Sequence, residues 1–81
     1  MSKEIRSPQH EALRKFLKLE RQKAELKQAE LAQRLGWDQT TISDIETGAK
    51  RVTAIELIQL GKALGFNPGT ALNRIAKVPE E

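Results

Sequence analysis

The chain has 81 residues, a net charge of +3 and no cysteine. That length bounds it to one domain with a modest core, and the missing thiols exclude a disulfide framework and a thiolate metal site. No apolar run is long enough to span a membrane, and the N-terminus MSKEIRSPQH lacks the apolar centre of a signal peptide, so a cytoplasmic protein is the expectation.

In chain order, residues 1–7 read as a flexible arm. Lys3 and Arg6 make it basic, and a solvated tail is the expectation. Ser7-Pro8 is a helix start, with Ser as N-cap and Pro at the first helical position, where no N–H is needed. The first helix is predicted over Pro8–Lys23. Its apolar face is Leu13, Phe16 and Leu17, continued by Ala24. The rest is dense in Lys, Arg and Glu, so Arg14, Lys15 and Lys18 are expected on a solvated face with i,i+4 pairs. His10, the only histidine, lies near the helix start and is expected at the surface rather than as a ligand or base. Glu25-Leu26-Lys27 is a short link, with Leu26 in the core.

The stretch Gln28–Gly48 organises the chain. Leu31, Ala32 and Leu35 share one helix face; Gly36 then breaks the pattern, and Asp38 is expected to cap the next helix with its carboxylate. Ile42 and Ile45 line the inner face of that second helix, Gln39–Thr47. Two short helices are thus joined by a tight turn. Ala32 is small where crossing helices approach closely, and Gly36 supplies the positive φ the turn needs. Trp37 is expected to cover the turn with its ring partly exposed. Gln39, Thr40, Ser43 and Asp44 face outward.

Gly48 is the expected C-cap of that helix, and Ala49-Lys50-Arg51-Val52 is a loop with two adjacent cations. Thr53 and Glu56 form a capping box for a helix over Ala54–Leu64. Leu57, Leu60, Gly61 and Leu64 make its buried stripe. Ile55 and Ile58 lie off that stripe and hint at a second interface. Gly65 ends the helix, Phe66 belongs to the core, and Asn67-Pro68 starts a last helix running to about Lys77, with Leu72 and Ile75 turned inward. The domain therefore covers 8–77, and 78–81 is an acidic tail. There is no internal repeat.

Counted from Gln28, a small residue, Gly, Ile and Ile fall at the fifth, ninth, fifteenth and eighteenth places. With Gln28-Ala29-Glu30-Leu31-Ala32, Leu35-Gly36, Thr41-Ile42-Ser43 and Ile45-Glu46-Thr47-Gly48, the stretch resembles the phage-repressor/Cro (XRE) helix-turn-helix family. The resemblance extends from about Leu13 to Ile75. It implies an all-α, lambda-repressor-like bundle of five short helices that binds DNA, in the cytoplasm of a prokaryotic or phage-infected cell. It further implies a salt bridge between Arg21 and Glu46, with spare guanidinium donors near a phosphate. It makes Gln28 a phosphate clamp, with Lys27 beside it at a helix N-terminus.

The side chains agree with that chemistry. Gln39, Thr40, Ser43 and Asp44 are short and polar, which suits base edges in the major groove. Gln39 fits adenine N6/N7, and Thr40 offers a methyl or a hydroxyl. Asp44 either accepts from cytosine N4 or pairs with a nearby cation and reads nothing. Thr41 points sideways toward a phosphate, and Lys50 and Arg51 suit the sugar–phosphate backbone. One short helix reads few base pairs, so a homodimer on a palindromic double-stranded operator is expected, with half-sites about 34 Å apart. The resulting expectation is a sequence-specific transcriptional regulator, a repressor by occlusion of polymerase, with activation the other possible sign. The alternative is an antitoxin-type module whose main partner is a toxin protein and whose DNA binding serves autoregulation. No catalytic constellation and no cofactor or metal site is expected.

Overall fold

The computed structural model describes residues 7–79; the arm carrying Lys3 and Arg6, and Glu80 and Glu81 of the tail, lie outside them. Five helices follow one another: α1 Pro8–Lys23, α2 Gln28–Leu35, α3 Gln39–Thr47, α4 Ala54–Leu64 and α5 Pro68–Ala76. No strand occurs among the described residues.

Local chemistry sets most helix starts. Ser7 Oγ accepts from the His10 N–H at 3.1 Å, and Pro8 fills the position where the N–H is dispensable. Thr53 Oγ1 accepts from the Glu56 N–H at 3.1 Å while the Glu56 carboxylate accepts from the Thr53 N–H at 2.9 Å. Asn67 Oδ1 accepts from the Thr70 N–H at 3.1 Å. At α2 the cap residue is Lys27, which has no acceptor, and Glu30 reaches back to the Lys27 N–H at 2.8 Å.

The α3 start corrects one expectation. Asp38 occupies the N-cap position with extended backbone, but its carboxylate makes no capping bond. The first turn is tight instead: the Thr41 N–H bonds the Asp38 main-chain carbonyl at 3.0 Å, so the donor a capping carboxylate would take is already used.

Helix ends follow the αL pattern. Gly36 has φ 74° and Gly48 φ 87°. After Gly36, the Trp37 N–H returns to the Ala32 carbonyl at 2.9 Å. After Gly48, the Ala49 N–H returns to the Asp44 carbonyl at 2.9 Å. The same motif ends α1, but its αL residue is Glu25, at φ 60°. There the Leu26 N–H returns to the Arg21 carbonyl at 3.2 Å. A left-handed glutamate has no sequence signature, so this turn is legible only in the structure.

The core joins Leu17 of α1, Leu31 and Ala32 of α2, Ile42 and Ile45 of α3, and Leu57 and Leu60 of α4. Leu13, Phe16, Leu26, Leu35, Trp37, Val52, Leu64 and Phe66 pack around it, half-buried. Ala24 is exposed. α2 packs chiefly on α3 and α4, and α1 packs on α3 and α5. Phe16 and Phe66 meet edge-to-face, centroids 5.1 Å apart, with the Arg74 guanidinium 5.4 Å over the Phe16 ring. Gln9 Nε2 donates to the Val78 carbonyl at 3.2 Å, tying the start of α1 to the end of α5.

α5 corrects a second expectation. Its buried line is Ala71, with Ile75 and Val78 half-buried along it. Leu72 is 50% exposed, because it sits one helical step off that line. Ile55 and Ile58 are exposed on α4, as their spacing suggested.

Candidate nucleic-acid interface

The outward surface of α3 follows from which residues it buries. Ile42, Ile45 and Glu46 are buried. Gln39 and Thr40 stand exposed at the start of the helix, and Thr41, Ser43 and Asp44 are half-buried along its flank. Asp44 has no ion-pair partner among the described residues.

Glu46 is the hub behind that surface. Its carboxylate is only 5% exposed and is gripped by Arg21, Nε to Oε2 at 2.6 Å and Nη2 to Oε1 at 3.0 Å. Arg21 Nη1 donates to the Leu26 carbonyl at 2.7 Å. The guanidinium is therefore engaged at all three nitrogens and 11% exposed, which leaves little of it for a phosphate. Gln28 Nε2 donates to Glu46 Oε1 at 2.9 Å, and Gln39 Nε2 lies 3.5 Å from Gln28 Oε1. A continuous polar chain thus runs from α1 through the buried carboxylate and the first residue of α2 to the first residue of α3.

The surrounding cations divide into free and engaged. Lys27 and Arg51 are exposed. Lys50 is held: its Nζ bonds both Glu56 oxygens, at 2.8 and 3.0 Å, and the Arg51 carbonyl at 2.9 Å. Burial pushes the Glu56 carboxyl up, but the Lys50 hydrogen bonds and charge and the Thr53 N–H outweigh it. The net result holds the carboxyl below its ordinary value of 4.5.

Two residues expected to be solvated are part of this architecture. Arg14 Nη1 donates to the Glu46 carbonyl at 2.8 Å, and His10 Nε2 lies 3.3 Å from the Gly48 carbonyl. The signal for both was present. His10, Arg14, Leu17 and Arg21 fall at intervals of four, three and four, one face of α1, and Leu17 is the buried member. The density of Lys and Arg elsewhere on α1 masked it.

Comparison with known proteins decides the family. The model of the helix-turn-helix domain family matches residues 12–75. A solved structure of an XRE-family like protein from Pseudomonas syringae pv. tomato str. DC3000 superposes with a TM-score of 0.78 at 31% identity, covering 84% of this chain and 83% of that one. The chain belongs to the XRE-type helix-turn-helix family. No curated protein matches it. Membership of the XRE type points to a DNA-binding regulator rather than an enzyme. No helix among the described residues of this XRE-type domain is long and apolar enough to cross a membrane.

Proposed function

We propose that this XRE-type domain is a small transcriptional regulator that binds double-stranded DNA sequence-specifically with α3 in the major groove. One observation carries the reading: the polar side of α3 faces outward while its other side is locked to α1 and α2 through Glu46. A helix held that rigidly presents its side chains at fixed positions, which base readout demands. Gln39, Thr40, Ser43 and Asp44 read base edges, Asp44 by accepting from cytosine N4. Lys27, Thr41, Arg51 and the backbone N–H groups opening α2 contact phosphates. Gln28 acts mainly by orienting Gln39, since its amide is already shared between Glu46 and Gln39. Lys50 reaches a phosphate only by leaving Glu56.

The functional unit is a homodimer on a palindromic site. The domain measures 35 × 25 × 20 Å, so neighbouring copies fit on half-sites about 34 Å apart. Ile55 and Ile58 are 64% and 43% exposed on one side of α4, which supports a second interface there. Repression follows from occluding polymerase. The same apolar side keeps a second reading in view, an antitoxin-type module bound to a toxin protein.

The test is selection of bound sequences from a random-duplex pool at near-physiological salt. An enriched inverted repeat is expected. A pool that stays random would reject sequence-specific binding and leave the protein-partner reading.

A further inference from the structure

We propose that Arg14, with His10 beside it, is a positioning residue that sets the pose of the recognition helix on DNA by capping its C-terminus from α1. The inference rests on the DNA-binding reading above and adds to it a residue that touches no base or phosphate.

The argument starts from what α3 lacks. The C-terminal end of a helix carries partial negative charge and unpaired carbonyls. The last turn of α3 contains no basic residue, and Asp44 adds negative charge near it, while the Glu46 carboxylate is already matched by Arg21. The chain's own backbone repairs this end only in part: the Gly48 and Ala49 N–H groups return to the Ile45 and Asp44 carbonyls, and the Glu46 carbonyl is left over. In a continuing helix the Glu46 carbonyl would accept from the Lys50 N–H, but that N–H turns back to the Asp44 carbonyl at 3.1 Å. Arg14 supplies the missing bond, at 2.8 Å from Nη1. Its guanidinium is itself fixed by Glu11, whose Oε1 accepts from Nε at 2.7 Å and lies 2.6 Å from Nη2. His10 adds its ring nitrogen 3.3 Å from the Gly48 carbonyl.

The other end of α3 is held differently. Asp38 makes no side-chain capping bond. The helix is therefore anchored from α1 at the end remote from Gln39 and Thr40. Over a helix of this length, a tilt of about 5° about that anchor moves the far end by about 1 Å. A shift of that size takes a base-edge hydrogen bond out of its narrow range of distance and angle. Loss of Arg14 thus acts on discrimination between sequences, not on attraction to phosphate.

The experiment uses the full 81-residue chain and its R14M, R14K and E11Q variants. Each is titrated, at several salt concentrations, against the selected duplex and a scrambled duplex of equal length. R14M is expected to lower the ratio of selected to scrambled affinity by roughly tenfold, the scale of one hydrogen bond to a charged group. Scrambled-duplex affinity and the salt slope stay unchanged, since neither depends on helix pose. R14K, which keeps the charge but not the planar fork, recovers part of the ratio. E11Q, which leaves the guanidinium in place but frees its orientation, loses part of it even if R14M fails to fold. An unchanged ratio in R14M and E11Q overturns the proposal. So does equal loss on both duplexes with a flatter salt slope, which would make Arg14 a direct phosphate contact. A parent chain that prefers no duplex overturns the DNA-binding reading and this inference together; a selective parent with equally selective variants overturns this inference alone.

Discussion

Arg21 and Glu46 form a two-pronged, nearly dry ion pair across the junction of α1 and α3, at 2.6 and 3.0 Å. Taking both charges out of water offsets much of their attraction, so the pair adds little stability over a well-packed apolar pair. What it fixes is direction: the planar guanidinium admits one orientation of the carboxylate, and the carboxylate orients Gln28 in turn.

Breaking one side is costly. Arg21→Met leaves a buried carboxylate with only Gln28 as partner and is expected to destabilise the fold by about 3–5 kcal/mol. The double variant Arg21→Met/Glu46→Leu should regain much of that. Urea unfolding of the four proteins in the cycle measures the coupling; additive losses would mean that the pair does not act as one unit.

Gln39→Ala is expected to cost about 1–3 kcal/mol at the selected duplex and to relax one base position. Titration against single-base variants of the site reads this directly. An equal loss on random DNA would assign Gln39 to the backbone rather than to a base.

The two loop cations should behave differently. Arg51→Ala is expected to weaken all duplexes alike and reduce the salt slope by about 0.9, the value for one lost phosphate contact. Lys50→Ala should change the slope less and stability more, because Lys50 is committed to Glu56. Salt-dependent titration beside thermal unfolding separates them, and equal slopes for both variants would contradict the geometry.

Glu56 contributes a pH dependence to stability. Its folded pKa is depressed, so its contribution is complete above its ordinary value of 4.5 and is lost as pH falls through the lower folded value. Thermal stability is expected to drop in that acidic window, and Glu56→Gln should flatten the drop. A Glu56→Gln chain with the parent's acid profile would show that other carboxylates set it.

Two backbone positions should respond in opposite directions. A Cβ on Gly61 would lie 2.7 Å from the Phe66 carbonyl oxygen, where α4 meets the chain entering α5. Gly61→Ala is expected to cost about 1–3 kcal/mol. Glu25 holds φ 60°, so Glu25→Gly relieves left-handed strain and is expected to gain up to about 1 kcal/mol. Calorimetry of both variants reads the signs.

What the sequence determined by itself was local or periodic. Capping residues and glycines placed most helix bounds, because their bonds close within a few residues; the left-handed Glu25 that ends α1 is the exception. The spacing of Leu31, Ala32, Ile42 and Ile45 marked the paired helices, because a helix must bury one stripe. The tertiary structure alone decided which charges are partners. The spacing put Arg14 on the face of Leu17, but nothing near it in sequence named its partner, a carbonyl 32 positions away. Lys50 read as free until Glu56 was folded against it. Leu72 read as core until α5 settled on Ala71, one helical step around. Charges and borderline apolar positions carry no local bond that fixes their fate; only the packing of distant elements supplies the carbonyl, the carboxylate or the surface that each one meets.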